Sequence, residues 1–182
     1  MKKQSSKYYV LLLLIATFAA PGIAAYLFYQ HPGWLSGAKV NRGELLNPPV
    51  TVSVLPKTSK WHIVFWSPEV CDKACLKQLD TLARIRLALG RKLYQVDQWL
   101  VLSDKVPALA QETKAILKEL DFQVAQMSEA EAGAHGVLFS GAKVFLANPD
   151  NYLILSYSSS VNPDDVYKDL KLLLTAAENK SS

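Results

Sequence analysis

The 182-residue chain has only two cysteines, Cys71 and Cys75, and three histidines. Two cysteines are too few for a disulfide scaffold, and four positions apart they close too short a loop to staple a fold. No Ser/His/Asp constellation, phosphate-cradling glycine loop or zinc-like ligand set is visible, so the common hydrolase, nucleotide and zinc chemistries have no carrier here. The charge balance is +4, but Lys2, Lys3 and Lys7 crowd the N-terminus. The rest lacks the basic stripe that nucleic-acid binding requires, and no nucleic-acid partner is expected. With 50% hydrophobic and 20% charged residues the chain is not disordered and can bury one ordinary core, which predicts one domain plus appendages.

Acids and bases other than tyrosine are missing from Tyr8 to Tyr29, YYVLLLLIATFAAPGIAAYLFY. The stretch is long enough to cross a hydrocarbon core of about 30 Å as a helix, with tyrosines at both ends as interfacial belts. The lysines before it predict a cytoplasmic N-terminus and an exported remainder. Pro21-Gly22 would kink such a helix. Ile23-Ala24-Ala25 imitates a signal-peptide cleavage site, yet the apolar run exceeds the roughly 7 to 15 residues of a signal core, so an uncleaved anchor is expected.

His31 to Lys60 is rich in Pro, Gly and Ser and reads as a tether. Within it, Asn41 to Pro49 holds a turn at Gly43 and a hydrophobic foothold at Leu45-Leu46, or alternatively a partner-docking element. The folded part then alternates two periodicities. Strands are predicted at Trp61–Trp66, Tyr94–Leu102, Phe122–Gln126, Lys143–Ala147 and Tyr152–Tyr157. Helices are predicted at Asp72–Leu89, with Gly90 at the C-terminal cap, at Val106–Leu120 behind Ser103-Asp104, and at Asp164–Ala177 behind Asn162-Pro163. Met127 to Gly136 is a short helix or a loop, and Asn148-Pro149-Asp150-Asn151 is a hairpin turn. The order β-α-β-α-β-β-α predicts an α/β domain: a parallel sheet covered on both faces, plus one antiparallel strand from the hairpin.

The chemistry concentrates in Trp61 to Cys75, WHIVFWSPEVCDKAC. A strand-like run feeds the Ser67-Pro68 turn, which delivers both cysteines to a helix start beyond a strand's carboxyl end, where open sheets form their sites. Four residues apart on a helix, two thiols share one face with Cβ atoms about 5 to 6 Å apart. That spacing suits one soft metal ion or a reversible disulfide. The helix N-terminus and Lys73 favour the thiolate; Glu69 and Asp72 oppose it. His62, by strand alternation, turns away from Trp61 and Ile63 and reads as structural. Met127 is a soft donor that more often fills a core, and Trp61, Phe65, Trp66 and Phe145 read as core or as cover for the site.

The anchor, tether, apolar strand, CxxxC, helix and late VFLANPDNYLILSY hairpin resemble the Sco/SenC copper-insertion proteins of cytochrome c oxidase assembly, in particular short anchored bacterial forms. The resemblance covers roughly Val40 to Leu174. It implies a thioredoxin-like domain at 61–177, behind a cytoplasmic segment at 1–7, a transmembrane anchor at 8–30 and a periplasmic tether at 31–60, with a tail at 178–182. It implies Cu(I) held by Cys71 and Cys75 with a distal histidine, and partners that are an oxidase subunit or another copper carrier at the inner membrane. The family's histidine lies about nine residues before the hairpin proline, where this chain has Ser140; His135, five residues earlier, is the available substitute. Leu76 replaces the family's proline after the second cysteine. No proline occurs between Pro107 and Pro149, so the cis-proline that thioredoxin-type oxidoreductases place opposite their thiols is missing. The readings that follow are a Cu(I) metallochaperone, a thiol-disulfide reductant using Cys71 and Cys75 as its catalytic pair, and a non-catalytic assembly scaffold.

Overall fold

The computed structural model describes residues 3–31 and 41–181 as two units, divided between Val40 and Asn41. Lys2 and the 32–40 part of the expected tether lie outside the described residues. In the first unit, α1 (Lys3–Gln30) runs unbroken through Pro21, and its Tyr8–Gln30 portion, at mean hydropathy 2.2, is long and apolar enough to cross a membrane.

The second unit is built on one six-stranded mixed sheet. Its strands are β1 (Glu44–Thr51), β2 (Trp61–Ser67), β3 (Val96–Ser103), β4 (Phe122–Met127), β5 (Lys143–Ala147) and β6 (Tyr152–Ser158), in the spatial order β1-β6-β5-β2-β3-β4. β2, β3 and β4 are mutually parallel, whereas β5 runs antiparallel to β2, β6 to β5, and β1 to β6. The five expected strands keep the expected pattern, with β5 alone running against the others; the departure is the sixth strand, β1, antiparallel to β6 at the sheet's edge. Eight residues of the segment expected as a tether belong to the sheet as β1: Glu44 and Leu45 pair with Ser156 and Leu155, and Val50 and Thr51 pair with Leu153 and Tyr152. Between them Asn47, Pro48 and Pro49 break the register, with a cis Asn47–Pro48 bond. Proline is tolerated there because β1 is an edge strand.

The helices are α2 (Lys73–Ala88), α3 (Gln111–Glu119), the short α4 (Glu129–Ala134) and α5 (Pro163–Ser181). Alternation along β2 sends Ile63 and Phe65 to one face and Val64 and Trp66 to the other. The first face packs under Leu79 and Leu82 of α2, Leu117 of α3, and Leu170 and Leu174 of α5. The second carries Trp99, Val101 and Phe145, closed by Val52, Leu55 and Phe139 without a long helix. Both β-α-β crossovers step the same way along the sheet, and right-handed connections then put α2 and α3 on one side, contrary to the expected cover of helices on both faces.

Two boundaries moved for local reasons. The helix expected from Val106 starts only at Gln111: Pro107 disfavours the helical conformation at the residue before it, and the Val106 N–H instead closes a turn onto the Ser103 carbonyl at 3.0 Å. Ser103 remains in β3, and Ala110 is the cap. Tyr94 falls in a 3-10 segment (Gly90–Gln95) that follows α2, and β3 begins at Val96. Gly90 stands beyond the last helical turn with φ of +60°, a conformation that glycine adopts at low cost.

Candidate dithiol site

Ser67 ends β2, and its hydroxyl donates to the Glu69 carbonyl at 2.9 Å, turning the chain toward Cys71. Asp72 is the N-cap of α2, and its carboxylate accepts the Cys75 N–H at 2.9 Å. Cys75 thus sits in the first turn, while Cys71 precedes the cap. The pair meets through this capping turn, not across one helical face as the four-residue spacing alone implies. The Cα atoms are 5.2 Å apart and the sulfurs are joined as a disulfide. Both residues are buried and pack on the helix-covered face. The cap engages one of the amide donors left free at the helix start, so the Cys75 N–H points at a carboxylate and not at a sulfur.

A groove of about 770 Å³ opens beside Cys75. Val70, Lys77 and Gln78 line its α2 side; Ala142, Ser159 and Val161 line the opposite wall. Ala142, directly before β5, lines the same groove as Cys75. The Gln78 side-chain amide donates to the Ser159 carbonyl and ties α2 to the β6–α5 loop. Val70 is exposed next to Cys71, so the disulfide has an apolar lip. None of Ala142, Ser159, Val161 or Gln78 was legible as a site residue, because each reaches the groove through strand pairing or loop packing and carries no motif.

His135 follows α4 and its ring meets that of Phe139 at a tilt, centroids 5.9 Å apart. Phe139 packs edge-on against Trp66 at 5.4 Å and accepts the Trp66 indole N–H on its carbonyl at 3.0 Å. That places His135 on the cluster of the sheet face opposite the one the cysteines join. Among the described residues, no group of three or more His, Cys, Asp or Glu converges as a metal site. The third ligand expected at His135 is thus not assembled with the thiols. Ser140 is exposed and donates its hydroxyl to the Val137 carbonyl at 3.0 Å. Met127 is buried in the second cluster and acts as core.

His62 does face away from Ile63, into the second side of the sheet, where it is fully buried. Among the described residues, neither of its ring nitrogens nor the indole N–H of Trp99 has a hydrogen-bond partner, and the two rings meet edge-on at 6.5 Å. Burial pushes the imidazole below its usual range; Asp97 opposes that shift and Lys60 adds to it.

Asp169 of α5 is the buried carboxylate of the domain. It accepts the Arg42 N–H at 2.9 and 2.8 Å, the Gly43 N–H at 2.7 Å and the Tyr157 hydroxyl at 2.8 Å. Burial first, then the bond to Asp169, pushes Tyr157 ionisation upward. Gly43 was read as a turn residue; its main role is close approach, since a Cβ there would stand 2.5 Å from the Tyr157 ring. This cluster fastens the start of β1 to the core.

Comparisons with known proteins agree with this architecture. A solved structure of apo Sco1 from Thermus thermophilus is similar at a TM-score of 0.55 and 21% identity, covering 73% of this chain and 96% of that one. Copper-bound ScoI from Arabidopsis thaliana scores 0.48 at 14% identity, covering 64% and 84%. A thiol:disulfide interchange protein from Bacteroides scores 0.45 at 14% identity, covering 75% and 91%. The likeness to the Thermus thermophilus structure shows a thioredoxin-like fold. No curated protein matches the sequence. A family model described as transmembrane-like, thioredoxin-like, C-terminal domain matches residues 61–177, more than half of the chain, and the chain belongs to that family.

Proposed function

We propose that the chain is a membrane-anchored, Sco-like dithiol protein of the bacterial inner membrane, with its C-terminal domain in the periplasm, that assists cytochrome c oxidase assembly by reducing a partner's cysteines for copper insertion. The observation that carries this reading is the Cys71–Cys75 pair, joined at the lip of an open groove at the carboxyl end of β2. The apolar helix supports anchoring, and the lysines before it support a cytoplasmic N-terminus.

In the reduced protein one thiolate attacks a disulfide of the partner, an oxidase subunit or another copper carrier. A mixed disulfide forms and the partner's first sulfur leaves as a thiolate. The second cysteine then attacks the mixed disulfide, releasing the partner's second thiolate and closing Cys71–Cys75. Two electrons pass to the partner. Cu(I) transfer is a second reading with the same two sulfurs, since soft thiolates select Cu(I). The contact of His135 with Phe139, in the cluster on the other sheet face, supports copper as cargo on a two-thiolate site. A purely scaffolding role leaves the groove-side dithiol unused.

Anaerobic Cu(I) titration of the reduced full-length protein, alongside Cys71→Ser, Cys75→Ser and His135→Ala, tests both readings. Reduction without transfer gives no tight one-to-one binding in any form. Transfer gives binding that either serine variant abolishes and that His135→Ala leaves unchanged.

A further inference from the structure

Cys71 and Cys75 are almost equally enclosed, at 7% and 8% exposure, so burial does not tell the two sulfurs apart. Their surroundings do. Cys75 belongs to the wall of the groove, whereas Cys71 does not, although Val70 and Asp72 on either side of it do. The difference follows from where each residue stands relative to α2. Cys75 lies in the first turn, at the border of two stripes of the helix: Ala74, Gln78 and Thr81 line the groove, while Leu79 and Leu82 continue the Cys75 stripe into the core. Cys71 precedes the Asp72 cap and joins the core cluster without reaching the groove.

Access decides which sulfur of a disulfide is attacked. A sulfur entering along the groove meets Cys75, and the bond it breaks releases Cys71 on the core side. The reverse of that step is the last step of partner reduction, in which Cys71 attacks the Cys75 sulfur and the partner's sulfur leaves along the groove. By microscopic reversibility the two share one path, and the oxidised site therefore marks the cysteine that carries the partner.

We propose that Cys75 is the attacking cysteine and Cys71 the resolving one, so that the second cysteine in the chain acts first. Within the thiol-exchange reading, on which this rests, the Cys75 thiolate attacks one sulfur of the partner's disulfide. That S–S bond breaks, a Cys75–partner disulfide forms, and the partner's other sulfur leaves with the electron pair as a thiolate. The Cys71 thiolate then attacks the Cys75 sulfur, and the partner's first sulfur leaves as the second thiolate. Two electrons reach the partner, and its thiolates take their protons from water. The Cα separation of 5.2 Å keeps Cys71 within bonding reach of Cys75 for the second step.

The test uses full-length Cys71→Ser and Cys75→Ser in detergent. The probe is a short peptide whose single cysteine is held as a mixed disulfide with thionitrobenzoate. The free protein thiolate attacks the peptide sulfur, a protein–peptide disulfide forms, and the electron pair leaves on the yellow thionitrobenzoate anion. Cys71→Ser, which keeps Cys75, is expected to release the anion about tenfold faster than Cys75→Ser. Because either serine could disturb the packing, the reduced native protein is also treated with limiting maleimide and the label is located by mass spectrometry; most of it is expected on Cys75. Equal rates, a faster Cys75→Ser, or a label mainly on Cys71 would overturn the assignment and leave thiol exchange standing. No release from either variant would overturn thiol exchange and the assignment together.

Discussion

Asp72 lies between the two cysteines in sequence and caps the helix that carries one of them, its carboxylate 2.9 Å from the Cys75 N–H. The same turn therefore orders α2 and brings Cys71 to Cys75. Replacing Asp72 with Ala is expected to cost about 1 kcal/mol of stability through loss of the cap, and Asp72→Asn much less, because asparagine caps nearly as well. Chemical denaturation of the full-length protein in detergent, followed by tryptophan fluorescence, measures both.

The Asp169 cluster sets the stability of the domain's N-terminal edge. Asp169→Leu leaves the Arg42 and Gly43 N–H groups and the Tyr157 hydroxyl without their acceptor, at an expected cost of about 3 kcal/mol. Gly43→Ala forces the Tyr157 ring away from contact at 2.5 Å and is expected to cost roughly 1 to 3 kcal/mol. Hydrogen exchange should localise the damage to β1 and the end of β6. A loss spread evenly over α2 and β3 would contradict the assignment.

His62 makes the domain acid-sensitive. Its folded-state pKa is lowered by burial, so it stays neutral while the unfolded chain takes up a proton near 6.5. The unfolded state then binds more protons, and the stability present above that pH is lost as the pH falls below it. Denaturation midpoints measured from pH 7.5 to 5 should fall for the native protein and stay flatter for His62→Leu. Identical slopes would remove His62 as the cause.

The residues that announced themselves in sequence did so through short-range chemistry. The apolar strand at Trp61, the NPDN hairpin and the Asn162-Pro163 helix start all encode their structure within a few residues, and they fold as read; the cysteines reach the start of α2, but Cys71 lies before its cap. Residues 44–51 were illegible because their strand state depends on pairing with β6, a hundred residues later, and prolines mask the pattern. The placement of His135 was illegible for a related reason: which sheet face its segment packs against depends on the ring contact with Phe139, which no local pattern announces. Gly43 signalled a turn, whereas the contact that requires it comes from Tyr157, beyond the reach of local reading.

Direct electron transfer from the dithiol is the most pointed test of the functional account. Reduced full-length protein is mixed anaerobically with the disulfide form of an oxidase copper-binding subunit, and free thiols are counted on each chain. The account predicts that two thiols disappear here for two that appear on the partner, and that of Cys71→Ser and Cys75→Ser the one lacking the resolving cysteine halts at a trapped mixed disulfide while the one lacking the attacking cysteine does not react. A Cys71–Cys75 bond that resists excess dithiothreitol, or a reduced pair that leaves the partner's disulfide intact, would contradict it.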